Sequence, residues 1–260
     1  MTESDFKRIK TITIIGARGG MGRSFRERLV RSGCRVKAMD RPLPEASLLQ
    51  ANLDSDLVLL AVPIKSMQEV LQKVRRHLPA KSILADICSV KIRPLQLMLG
   101  SHSGPVVGLH PLFGPDADIS RPLKVALVPG RERQAKNEVR DLLGFMGLRP
   151  FETSAEEHDQ AMALIQGLNF VTTVSYLSAA SESPGLEKFL TPSFERRLQA
   201  ARKMLTEDGE LFQDLFEVNP FSQDAVRSYR SYLNLAAAGE LDLLNDKACW
   251  WWSRGKGEGG

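Results

Sequence analysis

The chain has 260 residues, 43% hydrophobic and 25% charged, with 20 Gly and 14 Pro, a balance that excludes disordered, collagen-like and coiled-coil classes and fits one large domain or two modest ones. Lys and Arg outnumber Asp and Glu by 35 to 31, for a formal net charge of +4. The basic residues are scattered among acids as on solvated helix faces, so no nucleic-acid partner is expected, and an anionic small substrate accounts equally well for the excess. Cys34, Cys88 and Cys249 lie far apart without a CxxC pair, which suggests neither a disulfide framework nor a zinc site; no metal is expected. MTESDFKRIK at the start has no apolar core of a secretory signal, so a cytoplasmic location is expected.

From about residue 11 to 152, short β-branched runs alternate with amphipathic stretches. The runs are TITII (11–15), RVKAM (35–39), LVLLA (57–61), SILAD (82–86), VVGL (106–109), KVALV (124–128) and RPFE (149–152); helices are predicted at 21–32, 65–77, 92–99 and 133–146. Continuous apolar strands belong to a sheet covered on both faces. The repetition of strand, helix and strand predicts an α/β fold, a Rossmann-like, doubly wound, mostly parallel sheet over residues 1–152. Pro42 and Pro44 leave the second crossover room for only a turn or two of helix, at 45–50.

The first strand runs into Gly16-Ala17-Arg18-Gly19-Gly20-Met21-Gly22, and helical spacing follows it. A pyrophosphate needs backbone N–H groups at a helix N-terminus with no Cβ in the way, and glycines here supply that. The spacing is GxxGxxG, one residue longer in its first interval than the usual GxGxxG. Asp40, at the end of the second strand, can accept hydrogen bonds from the adenosine ribose and would repel a 2′-phosphate, which points to NAD. Arg18 and Arg41 can each swing onto such a phosphate, so NADP stays open. Val62, Pro63 and Ile64 follow the third strand at its carboxyl end, where ligands lie in open parallel sheets; they line the cofactor's nicotinamide side or form a plain strand-to-helix turn.

Two further loops leave the same sheet edge: Asp86-Ile-Cys-Ser89-Val-Lys91 and Gly108-Leu-His110-Pro-Leu-Phe-Gly114-Pro. This places Ser89, Lys91 and His110 near the nicotinamide. His110 reads as a general base with Ser89 as an orienting hydroxyl; the alternatives are a hydrogen-bonded structural histidine and an N-cap for the helix near Ile92. His158, at the start of a helix, is unfavourably placed as a cation, so a neutral role fits it better.

After Thr153 the β-branched runs stop. Ser154-Ala-Glu-Glu157 reads as a capping box opening a long helix to about residue 181, followed by helices at 192–205, 210–217, 220–239 and 240–252. The second domain, 153–252, is thus all helix, and 253–260, SRGKGEGG, is expected to be a disordered tail. Residues 160–181 carry no charge, but their Gln, Asn, Thr and Ser interrupt them too often for hydrocarbon, so no membrane partner is expected. Trp250, Trp251 and Trp252 close the core or cap a dimer, and the core is the favoured place.

IIGARGGMGR, AVPI, DICSVK, GPVVGLHPLFGPD (104–116) and EEHDQAMALIQGL (156–168) together resemble the prephenate dehydrogenases of tyrosine biosynthesis, over nearly the whole chain. The resemblance implies oxidation of the C4 carbinol of prephenate with NAD(P)+, loss of the ring carboxylate as CO2, and formation of 4-hydroxyphenylpyruvate. It implies His110 as the catalytic base, Ser89 as the serine that orients it, Lys91 as the lysine of the same loop, and His102 as a histidine approaching the nicotinamide end. Substrate binding falls to Ser89, His110, His158 and a cation on the helix after the TP turn, where Lys203 stands with Arg202 beside it. Lysine offers a point charge where the family carries a bidentate arginine. Phe170 replaces a histidine found in some relatives, which bears on prephenate against arogenate. The resemblance further implies a homodimer through the helical half and a monofunctional core. An arogenate dehydrogenase, or another NAD(P)-dependent oxidoreductase of this build, is the alternative function, and a dinucleotide-binding protein without turnover is a third.

Overall fold

The computed structural model describes residues 9–44, 55–118 and 123–253. The short helix expected at 45–50 lies outside them, as does the expected tail, except that Ser253 ends the last helix. The chain forms two compact units, Met1–Met162 with Gln213–Asn219, and Ala163–Phe212 with Pro220–Gly260.

In the first unit β1 (Thr11–Ile15), β2 (Arg35–Met39), β3 (Leu57–Leu60), β4 (Ile83–Asp86), β5 (Val106–Pro111), β6 (Lys124–Arg131) and β7 (Arg149–Glu152) form one seven-stranded sheet, ordered β2-β1-β3-β4-β5-β6-β7. Every neighbouring pair is parallel except β5 with β6. The glycine turn and the loops after β3, β4 and β5 therefore leave one edge of the sheet together.

Side chains alternate between the two faces along each strand, and here both faces are covered. Ile12, Ile14, Leu57, Leu59, Val107 and Leu109 pack with Phe25 and Leu29 of α1 (Gly20–Arg31) and with Val139 and Leu143 of α4 (Arg133–Phe145). Ile15, Val58, Leu60 and Leu84 meet Met67, Val70 and Val74 of α2 (Ile64–Val74) and Met98 of α3 (Ile92–Ser101) on the other face. Each fully buried side chain of this size contributes about 1.5–3 kcal/mol relative to exposure, which is why the runs read as strands despite lacking polar alternation.

The helix α5 (Ala155–Met162) also belongs to the first unit. The compact units therefore divide after residue 162, where the change of rhythm in the sequence suggests 152, because α5 packs on α3 and ties down its first turn. Half of the expected capping box forms: Ser154 Oγ accepts the Glu157 amide at 3.0 Å. The Glu157 carboxylate accepts instead from the Thr153 hydroxyl at 2.7 Å.

The helix expected to run unbroken to residue 181 is interrupted. A π-helical segment, Ala163–Leu168, separates α5 from α6 (Asn169–Ser181) and begins the second unit. Thr172 and Ser175 of α6 turn their hydroxyls onto the helix's own carbonyls of Leu168 and Val171, which accounts for polar residues in an uncharged helix. The unit continues with α7 (Pro192–Thr206), the start of α8 (Gly209–Val218), α9 (Ser222–Ala237), α10 (Leu241–Ala248) and α11 (Trp250–Ser253). Thr191 caps α7 by accepting the Phe194 amide, with Pro192 at the first helical position. Phe170 is buried and stacks on Phe212, ring centroids 5.7 Å apart. The tryptophan run does not close this core: Trp251 is 73% and Trp252 75% exposed on the chain. Among the described residues no helix is long and apolar enough to cross a membrane.

Candidate active site

The glycine turn is built by close approach. Gly16 has φ +92°, and a Cβ there would lie 2.2 Å from the Ala61 carbonyl oxygen. A Cβ on Gly22 would lie 2.1 Å from the Gly16 carbonyl oxygen. These two glycines let β1, β3 and α1 pack together. Gly19 is the N-cap and offers no side chain to the first-turn amides of α1, and that turn contains no acidic residue. The N–H groups of that turn and its positive dipole end are thus left for an anion, and Gly20, Met21 and Gly22 fit a dinucleotide pyrophosphate, while the Gly19 amide is spent on the Gly16 carbonyl at 3.2 Å.

Asp40, just past β2, accepts the Arg18 amide on Oδ1 at 3.0 Å. Its Oδ2 lies 3.8 Å from Arg18 Nε on an otherwise exposed side chain. Arg41 follows, close enough to Glu69 to help lower its pKa, after the larger effect of Lys73. Pro63 is the N-cap of α2. Next to it Lys65 Nζ meets Asp214 Oδ1 at 2.5 Å, so the carboxyl-terminal part of α8 is tied to the loop that carries Val62, Pro63 and Ile64. Cys88 donates from Sγ to the Val62 carbonyl at 3.6 Å, and burial pushes its thiol pKa up. It is a packing thiol, not a nucleophile.

His110 stands on β5, buried, one residue before the loop. Its Nδ1 lies 2.8 Å from His158 Nε2. His158 Nδ1 in turn lies 2.7 Å from Asp159 Oδ1. Asp159 is wholly buried, and its carboxylate also accepts the amides of Lys91 (Oδ1, 2.7 Å) and Ile92 (Oδ2, 2.9 Å). It thereby supplies the N-terminal cap of α3 from a different helix, a task for which Ser89 is the local candidate in the sequence. Asn219 Nδ2 donates to the Asp159 main-chain oxygen at 2.8 Å, which secures the residue from its other side. The His110 pKa lies well below its ordinary value, first because burial penalises the cation and then because of His158 and Lys91. His110 is therefore neutral at neutral pH, as a base must be before it acts.

Three sequence expectations change here. Lys91, expected to be catalytic, is fully buried, and its amine is spent on Asp86 Oδ2 and the Leu109 carbonyl, each at 2.6 Å. It braces the strand end that carries His110 instead of reaching outward. His158, expected to bind substrate, is buried with both ring nitrogens engaged. His102 is at the wrong end of the sheet: α3 starts at the carboxyl edge and carries the chain back, so its C-cap His102 sits beside Ser82, whose carbonyl lies 2.8 Å from Nε2.

Ser89 stays in the loop at the carboxyl edge, half-buried, two residues before the amide that Asp159 holds. Arg202 and Lys203 are exposed on α7 of the second unit. Asp159 is the residue whose role the sequence does not disclose. Its signal is a carboxylate beside a histidine on the apolar side of a helix. Among the described residues no group of three His, Cys, Asp or Glu side chains is placed to hold a metal.

Residues 22–143 match the family model described as prephenate dehydrogenase, nucleotide-binding domain. The chain thus carries a prephenate dehydrogenase nucleotide-binding domain. The T-protein of Enterobacter agglomerans is 34% identical over 226 residues, 85% of this chain and 60% of that protein. The chain thus spans about three-fifths of the length of this relative, and 56% of the T-protein of Haemophilus influenzae. The crystal structure of prephenate dehydrogenase from A. aeolicus, in complex with hydroxyphenyl propionate and NAD+, shares the fold with a TM-score of 0.77 at 19% identity, covering 95% of this chain and 96% of that one.

Proposed function

We propose that this chain oxidatively decarboxylates prephenate to 4-hydroxyphenylpyruvate and CO2, reducing NAD+. The observation that carries the reading is a buried, neutral histidine at the sheet edge that also bears a dinucleotide-type glycine turn. NAD+, when bound, accepts the hydride from C4 of the ring. His110 Nε2 takes the C4 hydroxyl proton, with Ser89 orienting the hydroxyl and Lys91 bracing the strand end beneath. As the carbinol becomes a carbonyl, the ring–carboxylate bond breaks, CO2 leaves, the electron pair of that bond makes the ring aromatic, and the C4 oxygen takes the proton back from His110 to become the phenol hydroxyl. The protein has mainly to position and deprotonate the substrate. Asp40 favours NAD+ over NADP+ by repelling a 2′-phosphate.

The reading includes a cytoplasmic homodimer joined through the helical second unit, where Leu164 and Ile165 of the π segment and the terminal tryptophans are exposed on a single chain. A second reading, arogenate as substrate, is favoured by one residue: Phe170 offers a stacked, apolar surface where some relatives carry a histidine.

The test follows NADH or NADPH absorbance with purified protein, offering prephenate and arogenate in parallel, each with NAD+ and NADP+. Turnover of prephenate with NAD+ is expected, and His110→Ala should lower kcat ~10²-fold or more as the general base is lost. Turnover of arogenate alone would replace the substrate. Dinucleotide binding without turnover of either would leave a binding protein in place of an enzyme.

A further inference from the structure

Hydrogen-bond directions around His110 can be assigned from the helix end that anchors them. Asp159 receives the Lys91 amide on Oδ1 and the Ile92 amide on Oδ2. Main-chain N–H groups only donate, so the carboxylate is held as an acceptor on both oxygens. The proton between Asp159 and His158 therefore belongs to His158 Nδ1. A neutral imidazole carries one N–H, so His158 Nε2 is bare and accepts from His110 Nδ1–H. His110 Nε2 is then bare in turn, and among the described residues no other hydrogen bond engages the His110 ring.

We propose that Asp159 and His158 are positioning residues of the proton-transfer step: Asp159, fixed by the first amides of α3, acts through His158 to keep the His110 lone pair on Nε2 and to receive, across the two rings, the charge that His110 gains. This inference rests on the reading of His110 as base. The substrate hydroxyl proton goes to His110 Nε2, the Nδ1 proton passes to His158 Nε2, and the His158 Nδ1 proton stays in its bond to Asp159. The hydride goes to NAD+, and the carboxylate neither gains nor loses a proton. The groups that act on this pair share one logic. Lys91 and burial oppose a charge on His110, and the Lys91 amine is itself matched by Asp86. His158 lies farther along and touches a carboxylate, so the single positive charge is better placed there.

The proposal is tested first on the substrate-free protein, by nitrogen-15 correlation spectroscopy of its histidines. His110 is expected as the Nδ1–H tautomer. Asp159→Asn sets an NH2 either against the Ile92 amide or against the Lys91 amide and His158 Nδ1, which share Oδ1, and in both cases removes the negative charge that receives the His158 cation; kcat should fall ~10²-fold or more, with KM for NAD+ within about threefold of wild type. His158→Phe and His158→Gln leave the Asp159 cap in place and so decide the matter if Asp159→Asn does not fold. Phe should lower kcat at least about tenfold. It should also reduce a curved solvent-deuterium proton inventory to a straight line. Gln, whose carbonyl can accept from Nδ1–H, should recover part of the lost kcat. An Nε2–H tautomer in the wild-type protein, or a wild-type kcat and inventory in His158→Phe, would overturn the proposal. An Nδ1–H tautomer in a protein that turns over neither substrate would uphold the tautomer assignment and overturn the proposed reaction, with the proton transfer it includes.

Discussion

The Asp40 carboxylate holds one oxygen on the Arg18 amide at 3.0 Å, while the other lies 3.8 Å from the Arg18 guanidinium. In this arrangement the anion is fixed by the main chain and is only loosely screened by an exposed arginine. A ribose diol gains a charge-assisted acceptor there, and a 2′-phosphate meets repulsion. Asp40→Ala should weaken NAD+ by about ten- to a hundredfold, as one hydrogen bond to a charged group is worth about 1.5–3 kcal/mol. NADP+ should lose less, or gain, since the same change frees Arg18 for a phosphate. Titration of both cofactors against the variant checks this, and equal losses would remove the ribose contact. His102 and Lys91 teach the complementary lesson: the right chemical type in a suggestive motif becomes a site only if topology brings it to the right edge and leaves its polar atoms unspent.

Among the elements, α1 and α3 make opposite demands on their glycines. Gly22 faces a carbonyl oxygen that an added Cβ would approach to 2.1 Å, whereas Gly100 in α3 has nothing within 4 Å of its Cβ position. Gly22→Ala should therefore push α1 off β1, abolish NAD+ binding and lower the melting temperature. Gly100→Ala should raise it, by the ~0.5–1 kcal/mol that a helical glycine forfeits to alanine. Thermal melts of the two variants side by side test the pair, and a neutral Gly22→Ala would show that the turn yields easily. The seven strands were legible because double-faced burial leaves its mark in each run, as in LVLL, where Leu57 and Leu59 serve one core and Val58 and Leu60 the other. The π segment 163–168 was not, since its apolar spacing fits an ordinary helix equally well. Nor was Asp159, whose partners Lys91 and Ile92 are local to it only after α5 has packed on α3. His110 and the glycine turn were legible because their chemistry lies within single motifs; the relay behind His110 is assembled from two.

For the whole molecule, buried histidines set an acid limit. Burial is the first cause lowering the pKa of both His102 and His110. The unfolded chain takes up these protons near pH 6.5, where the folded chain refuses them. Their contribution to stability is complete above that pH and is lost as pH falls below it, toward the folded pKa values, before the carboxylates of Glu69 and Glu152, whose pKa values are lowered by their lysine partners, begin to titrate. Melting temperatures should be level from pH 8 to 7 and fall between about pH 6.5 and 5. The decline should be shallower in His102→Gln, and a level melt down to pH 5 would contradict it.

Assembly provides a second probe at the same scale, because the chain's 3 tryptophans are all in the run 250–252. On a single chain Trp251 and Trp252 are mostly exposed, with Trp250 set edge-on to Trp251 at 5.0 Å between ring centroids. Indole rings in that number are seldom left in water without a partner, and the proposed dimer through the helical unit offers them cover. Tryptophan emission is then a direct report on that surface, with no other indole to confuse it. At working concentration it should be blue-shifted. Dilution through the dissociation range, followed in parallel by sedimentation, should move it to the red as dimers part. Red emission at every concentration in a sedimenting dimer would place the interface elsewhere on the helical unit, and a monomer throughout would remove the dimer itself.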